Sequence, residues 1–212
     1  MLNQDNLIKN LMKAAAVLGD DRKPLLKFDH GKYVFGTDKK EEVPIGTKLE
    51  TDLFRASWGF VRWERGKPVE RRVVEVGGGT KPPSREELGD DDKEVWEPGA
   101  GGAPKDPWQK TFELPVKEIG GEEREFLLSG SSRGFEIAFG SFVKNASRQV
   151  GSHIGEVPVI ELGASTFSTK LHGRVACPEF KIVDWVKPSL GGAEDDDDGD
   201  DLAEDLNDDI PF

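Results

Sequence analysis

The spacing of apolar residues changes several times along the chain of 212 residues. Leu7, Ile8, Leu11, Met12, Ala15 and Leu18 recur every three or four positions and Gly19 follows them, which predicts a short amphipathic helix in the segment 1–20. From Leu25 the pattern becomes that of strands: Leu25 to Phe28, Lys32 to Phe35, a long run from Thr47 to Trp63, and Val69 to Val76. Asp29-His30-Gly31, Val43-Pro44-Ile45-Gly46 and Arg65-Gly66-Lys67 supply the turns between them. The run through Trp63, returning through Arg72, is the clearest hairpin, and its length invites a bulge at Gly59.

Residues 77–107 interrupt this pattern with Gly77-Gly78-Gly79, Pro82-Pro83 and the glycines from Gly99 to Gly102, so they are expected to form a long protruding loop without regular structure. Strands resume at Trp108 to Val116 and Glu125 to Leu128. Then Phe135, Ala138, Phe139, Phe142, Val143 and Ala146 return to helical spacing, with Ser131 or Ser132 available as the cap and Gly151 as the stop. Val157 to Leu162 and Lys181 to Trp185 predict two closing strands, with Ser168 to Arg174 a candidate for another and Pro158 marking an edge or a strand start.

Three main strands, a helix and two strands follow the order of the oligonucleotide-binding (OB) fold, a five-stranded Greek-key barrel. The expectation is therefore a mainly β chain in which residues 21–188 form an OB-fold domain. Its additions are the N-terminal helix, extra N-terminal strands and the long acidic loop. Residues 189–212 are left as a tail.

The formal charge is −12, but it is unevenly spread. Residues 189–212 hold 11 of the 41 acidic residues and none of the 29 basic ones, so the rest of the chain sums to −1. Residues 84–106 add eight acidic and three basic residues, and without them the core carries 26 basic and 22 acidic side chains. Attraction for phosphate depends on where positive charge lies, so the total does not exclude a nucleic-acid partner.

The tail ends in Asp208-Asp209-Ile210-Pro211-Phe212. An acidic string offers too little apolar surface to fold alone, while a terminal ring gains by being buried. A partner with a pocket for the ring and basic residues at its rim would satisfy both. This ending resembles the C-terminal tip of bacterial single-stranded-DNA-binding proteins. The resemblance implies a divergent, virus-encoded relative whose tip recruits DNA-maintenance enzymes of replication, recombination or repair. In that reading Phe212 anchors in the partner, Ile210 and Pro211 fill the pocket, Asp208 and Asp209 meet its basic rim, and residues 189–207 are an extended linker.

Binding of single strands without base reading combines aromatic platforms with basic side chains that follow the backbone. The segment from Phe54 to Lys67 holds both. Alternation places Phe54, Ala56, Trp58 and Phe60 on one face, and Arg55, Ser57, Val61, Trp63 and Arg65 on the other. Without a bulge, the second face is the expected DNA face. A bulge at Gly59 would exchange those roles beyond it and bring Arg62 onto the face that carries Arg55; Trp58 is a second candidate for stacking on a base. Lys67, Arg71 and Arg72 add charge on the return strand, and Lys110, Lys170 and Arg174 are further candidates for phosphate contact.

Other chemistry finds little support. The glycine runs lack the Lys-Ser/Thr of a phosphate-cradling loop, and His30, His153 and His172 stand far apart. Asp195 to Asp198 lack the glycine-centred spacing of a calcium loop. Cys177 is the single cysteine, assigned to packing. The expectation is a non-enzymatic protein without cofactor. The longest apolar stretch, Ala14 to Leu18, is too short to cross a bilayer, which leads to a cytoplasmic assignment. Homodimerisation stays open, because strand edges need cover. Two other classes stay open as well: an adaptor or decoy that presents the tip without binding DNA, and a DNA-processing enzyme with a recruiting tail.

Overall fold

The computed structural model describes residues 23–36, 41–99, 102–169 and 173–190. The N-terminal helix, Lys170 and the tip at 208–212 lie outside the described residues. The described part is mainly β, with ten strands in one mixed sheet and a single α-helix.

The strands are β1 (Leu25–Asp29), β2 (Lys32–Phe35), β3 (Glu41–Val43), β4 (Lys48–Thr51), β5 (Ser57–Glu64), β6 (Lys67–Glu75), β7 (Trp108–Glu118) and β8 (Glu125–Gly130). Helix α1 (Arg133–Gln149) follows, then β9 (Val157–Thr169) and β10 (Gly173–Val186). They lie in the order β10-β9-β4-β7-β8-β1-β2-β3, with β5 paired to β7 on one side and β6 on the other. Every pairing is antiparallel except β1 with β8.

The long strand expected from Thr47 to Trp63 is broken into β4 and β5. Asp52 explains the break: its Oδ1 accepts the backbone N–H of Phe54 and of Arg55, both at 3.1 Å, and this local turn competes with the ladder. The register against β7 changes across it, from Thr51 opposite Val116 to Ser57 opposite Glu113.

The bulge lies elsewhere than Gly59. Arg62 pairs with Glu70 and Trp63 with Pro68, so Val69 on β6 is the extra residue. Gly59 keeps unbroken register with Val73 and Thr111. Glycine is required there for a different reason: φ is +155°, and a Cβ would stand 2.1 Å from the carbonyl oxygen of Arg72.

Helix α1 is capped as the sequence predicts, with Ser132 Oγ accepting the N–H of Phe135 at 3.2 Å. Its aromatic stripe enters the core, where Phe135 meets Phe112 and Phe180 and Phe139 meets Phe112. Cys177 is buried against the helix's first turn, its thiol 3.2 Å from the Gly134 carbonyl, as a packing residue would be. The N-terminal strands extend the sheet from β8, and buried Tyr33 on β2 donates its hydroxyl to the Gly163 carbonyl at 2.8 Å.

The segment between β6 and β7, expected as a loop without structure, is tied down where it is described. Asp90 is its centre. One carboxylate oxygen accepts Arg62 Nε at 2.8 Å and Trp108 Nε1 at 2.9 Å, and its backbone carbonyl accepts Trp96 Nε1 at 2.7 Å. Arg85 adds bonds to Asp106 at 2.7 Å and the Gly89 carbonyl at 2.6 Å. No helix among the described residues is long and apolar enough to cross a membrane.

Candidate nucleic-acid interface

The alternation of β5 sorts its side chains between two environments. Trp58 and Phe60 face inward, with Trp58 half-buried against the core and Phe60 buried. Val61 and Trp63 face outward onto a groove that runs across β6, β5, β7, β8 and β1. The groove has two joined parts of about 500 and 230 Å³, which share Lys27, Val61, Trp63, Thr111 and Ser129. Trp63 is 37% exposed and lines both parts of the groove.

Five cations line the two parts, Lys23, Lys27, Arg55, Arg71 and Lys110, against two carboxylates, Asp52 and Glu113. The floor of the larger part is apolar, built by Leu25, Leu127 and Pro115. Most of the cations are already paired. Arg71 Nη2 contacts both oxygens of Glu113 at 2.7 and 2.8 Å, Arg55 lies 3.4 Å from Asp52, Lys110 2.7 Å from Glu136 and Lys23 2.9 Å from Glu125. Lys27 has no carboxylate partner among the described residues. Exposed pairs of this kind exchange partners readily, being worth about 0–1 kcal/mol each. Glu113 is only 8% exposed and holds Arg71 and Ser57 together, so that pair is the firmer one.

Of the residues singled out in the sequence, Arg55, Trp63, Arg71 and Lys110 come together at this groove. Trp58 turns to the core. Arg62 and Arg72 lie on the opposite face, where Arg62 is held by Asp90 and Glu64 and Arg72 by Glu70 at 2.6 Å. The bond to Asp90 raises the Arg62 guanidinium pKa further and holds the Asp90 carboxyl below the usual carboxylate range.

Arg65 and Lys67 sit at the β5–β6 turn, where they and Trp63 line a cleft beside Trp96. Arg174 lies far along the β9–β10 hairpin and bonds Thr166 Oγ1 at 3.3 Å. Sequence reasoning missed Lys27 and the polar side chains of β7 and β8. Lys27 alternates with Leu26 and Phe28, which marks it as outward-facing, but nothing local shows that β1 lies beside β8.

No protein-family model, curated protein or solved structure matches the chain.

Proposed function

We propose that the chain binds single-stranded DNA in this groove, as an OB-fold protein, and recruits DNA-maintenance proteins through its acidic tip. The observation that carries the reading is the exposed Trp63 ring set among the cations of a groove that crosses β7 and β8. Stacking on such a platform contributes about 1–3 kcal/mol per base.

The order of elements supports the fold assignment. If the bent pair β4 and β5 counts as the first strand, then β7, β8, β9 and β10 are the second to fifth, α1 falls between the third and fourth, and the spatial order is 5-4-1-2-3. OB folds bind oligonucleotides on the face of strands two and three, which here are β7 and β8. The strands β1 to β3 are an addition, and β1 takes the free edge of β8.

Titration with oligo-thymidine, followed by tryptophan fluorescence at two salt concentrations, tests the proposal. Quenching is expected, with a salt slope of about −0.7 per neutralised phosphate. Trp63→Ala should remove most of the quenching and weaken binding, whereas Trp58→Ala should lower stability and spare binding. Absence of binding in dilute buffer would sink the reading and leave the adaptor class, which predicts capture of partners without oligonucleotide binding. Removing residues 208–212 should abolish partner capture and leave strand binding intact or stronger, because a competing polyanion is shortened.

A further inference from the structure

Beside Trp63 the smaller part of the groove forms a hollow of about 230 Å³, bordered on one side by Ser131, Ser132 and Phe135 at the start of α1. It is large enough to admit a nucleobase. Its lining differs in kind from the apolar floor next to it. Gln109 and Thr111 from β7 and Ser129 from β8 present neutral polar groups, with Lys27 and Lys110 at the sides.

Thr111 is 8% exposed. None of the side chains of Gln109, Thr111 and Ser129 has a hydrogen-bond partner among the described residues. Their polar atoms are reached by solvent in the groove, so they are free to donate to and accept from a ligand.

We infer that this hollow receives one base of the bound strand and reads its edge. The inference rests on the proposed strand binding and adds base selectivity to it. The Trp63 indole covers the face of the base or of its neighbour, while the Gln109 amide and the Thr111 and Ser129 hydroxyls meet the edge. Lys27 and Lys110 stand where flanking phosphates pass. A primary amide offers one donor and one acceptor side by side, and the base edge it matches bidentately is the N6/N7 side of adenine. The groove therefore grips any single strand through charge and stacking but favours adenine at one position.

The test compares a 12-mer of thymidine with the same strand carrying one central dA, dC, dG or abasic site, titrated into the full chain. The single dA should tighten binding at least about five-fold over the other substitutions. Gln109→Ala should abolish that preference while the salt slope stays unchanged, since phosphate contacts are untouched. Thr111→Val keeps the side-chain shape and should reduce the preference, and Gln109→Glu, which loses the amide donor, should remove it.

Equal affinity for all five strands in the wild type would overturn the inference while leaving strand binding standing. Survival of the dA preference in both Gln109 variants would overturn it too. Failure of every strand to bind would remove the inference and the proposed function together.

Discussion

Glu50, on β4 and only 3% exposed, accepts the backbone N–H and the hydroxyl of Ser189, each at 2.5 Å. It also accepts the N–H of Leu190 at 2.8 Å. The two residues are 139 positions apart in the chain. Lys117 joins the cluster through Ser189 Oγ at 3.3 Å, and Leu190 is buried in the wall of the groove that holds Arg55, Arg71 and Trp63. The linker expected to begin at residue 189 is thus fastened at its first two residues, beside this groove.

Replacing the Glu50 carboxylate tests this fastening. Glu50→Ala leaves three donors to find other partners, and the expected loss of stability is about 1–3 kcal/mol in urea unfolding. Native-state hydrogen exchange at the amides of Ser189 and Leu190 should become faster, because both N–H groups lose their acceptor. Unchanged exchange would mean that Leu190 packing alone holds the segment.

Gly59→Ala is the sharpest test of the β5–β6 pairing. The added Cβ meets backbone at 2.1 Å, and φ of +155° is a conformation that alanine avoids. Backbone strain alone costs about 1–3 kcal/mol, and separating the strands to relieve the clash adds to it. Thermal unfolding should show a clear drop in midpoint, and the fluorescence of Trp63 should shift as the hairpin moves. By contrast, Gly66→Ala removes only the freedom to hold φ of +73° in an open turn, with nothing within 4 Å of the added carbon. Its effect should be the smaller of the two.

These two sites mark the limit of what the sequence reveals. Period-based reading finds α1 and its Ser132 cap, the β5–β6 hairpin and the closing strands, because each depends on neighbours within a few residues. It sorts Trp63 from Trp58 by alternation, and the structure keeps that sorting because the bulge falls on Val69 instead of Gly59. It misses the β4/β5 break, where one Asp52 side chain outweighs the apolar pattern, and the Glu50 fastening. It also misses the ordering of the segment around Asp90. That segment reads as loop because its glycines and prolines are visible locally, while the partners that hold it, Arg62 and Trp108, belong to strands on either side. The groove depends on β1 lying beside β8, a pairing across about a hundred residues with no local signature.

The ordering of that segment should depend on pH. Asp90 has a carboxyl pKa below its ordinary value, first through its bond to Arg62. A group depressed in the folded state contributes stability above its unfolded pKa, about 3.9 for aspartate, and that contribution is lost as pH falls toward the folded value. The segment should hold firm at neutral pH and loosen below about pH 4. The Trp96 and Trp108 indoles, both bonded to Asp90, would report it as a fluorescence change. Asp90→Asn should remove the Asp90 contribution to that transition. A transition of unchanged size and midpoint in this variant would assign it to other carboxylates.

The pairing of Arg71 with Glu113 gives a prediction whose sign runs against intuition. Glu113 is one of the two carboxylates that line the groove, and it holds the Arg71 guanidinium through both of its oxygens. A phosphate that approaches Arg71 must compete with it. Glu113→Gln keeps the shape and an acceptor for Ser57 but removes the charge, so Arg71 becomes available and one negative charge leaves the groove. Oligo-thymidine should then bind more tightly, and the salt slope should steepen by about 0.7, the value for one more neutralised phosphate. Arg71→Gln should weaken binding and flatten the slope. If Glu113→Gln binds more weakly with a stable fold, then the pair acts to hold Arg71 in position for the strand. In that case the carboxylate would belong to the interface as a positioning group.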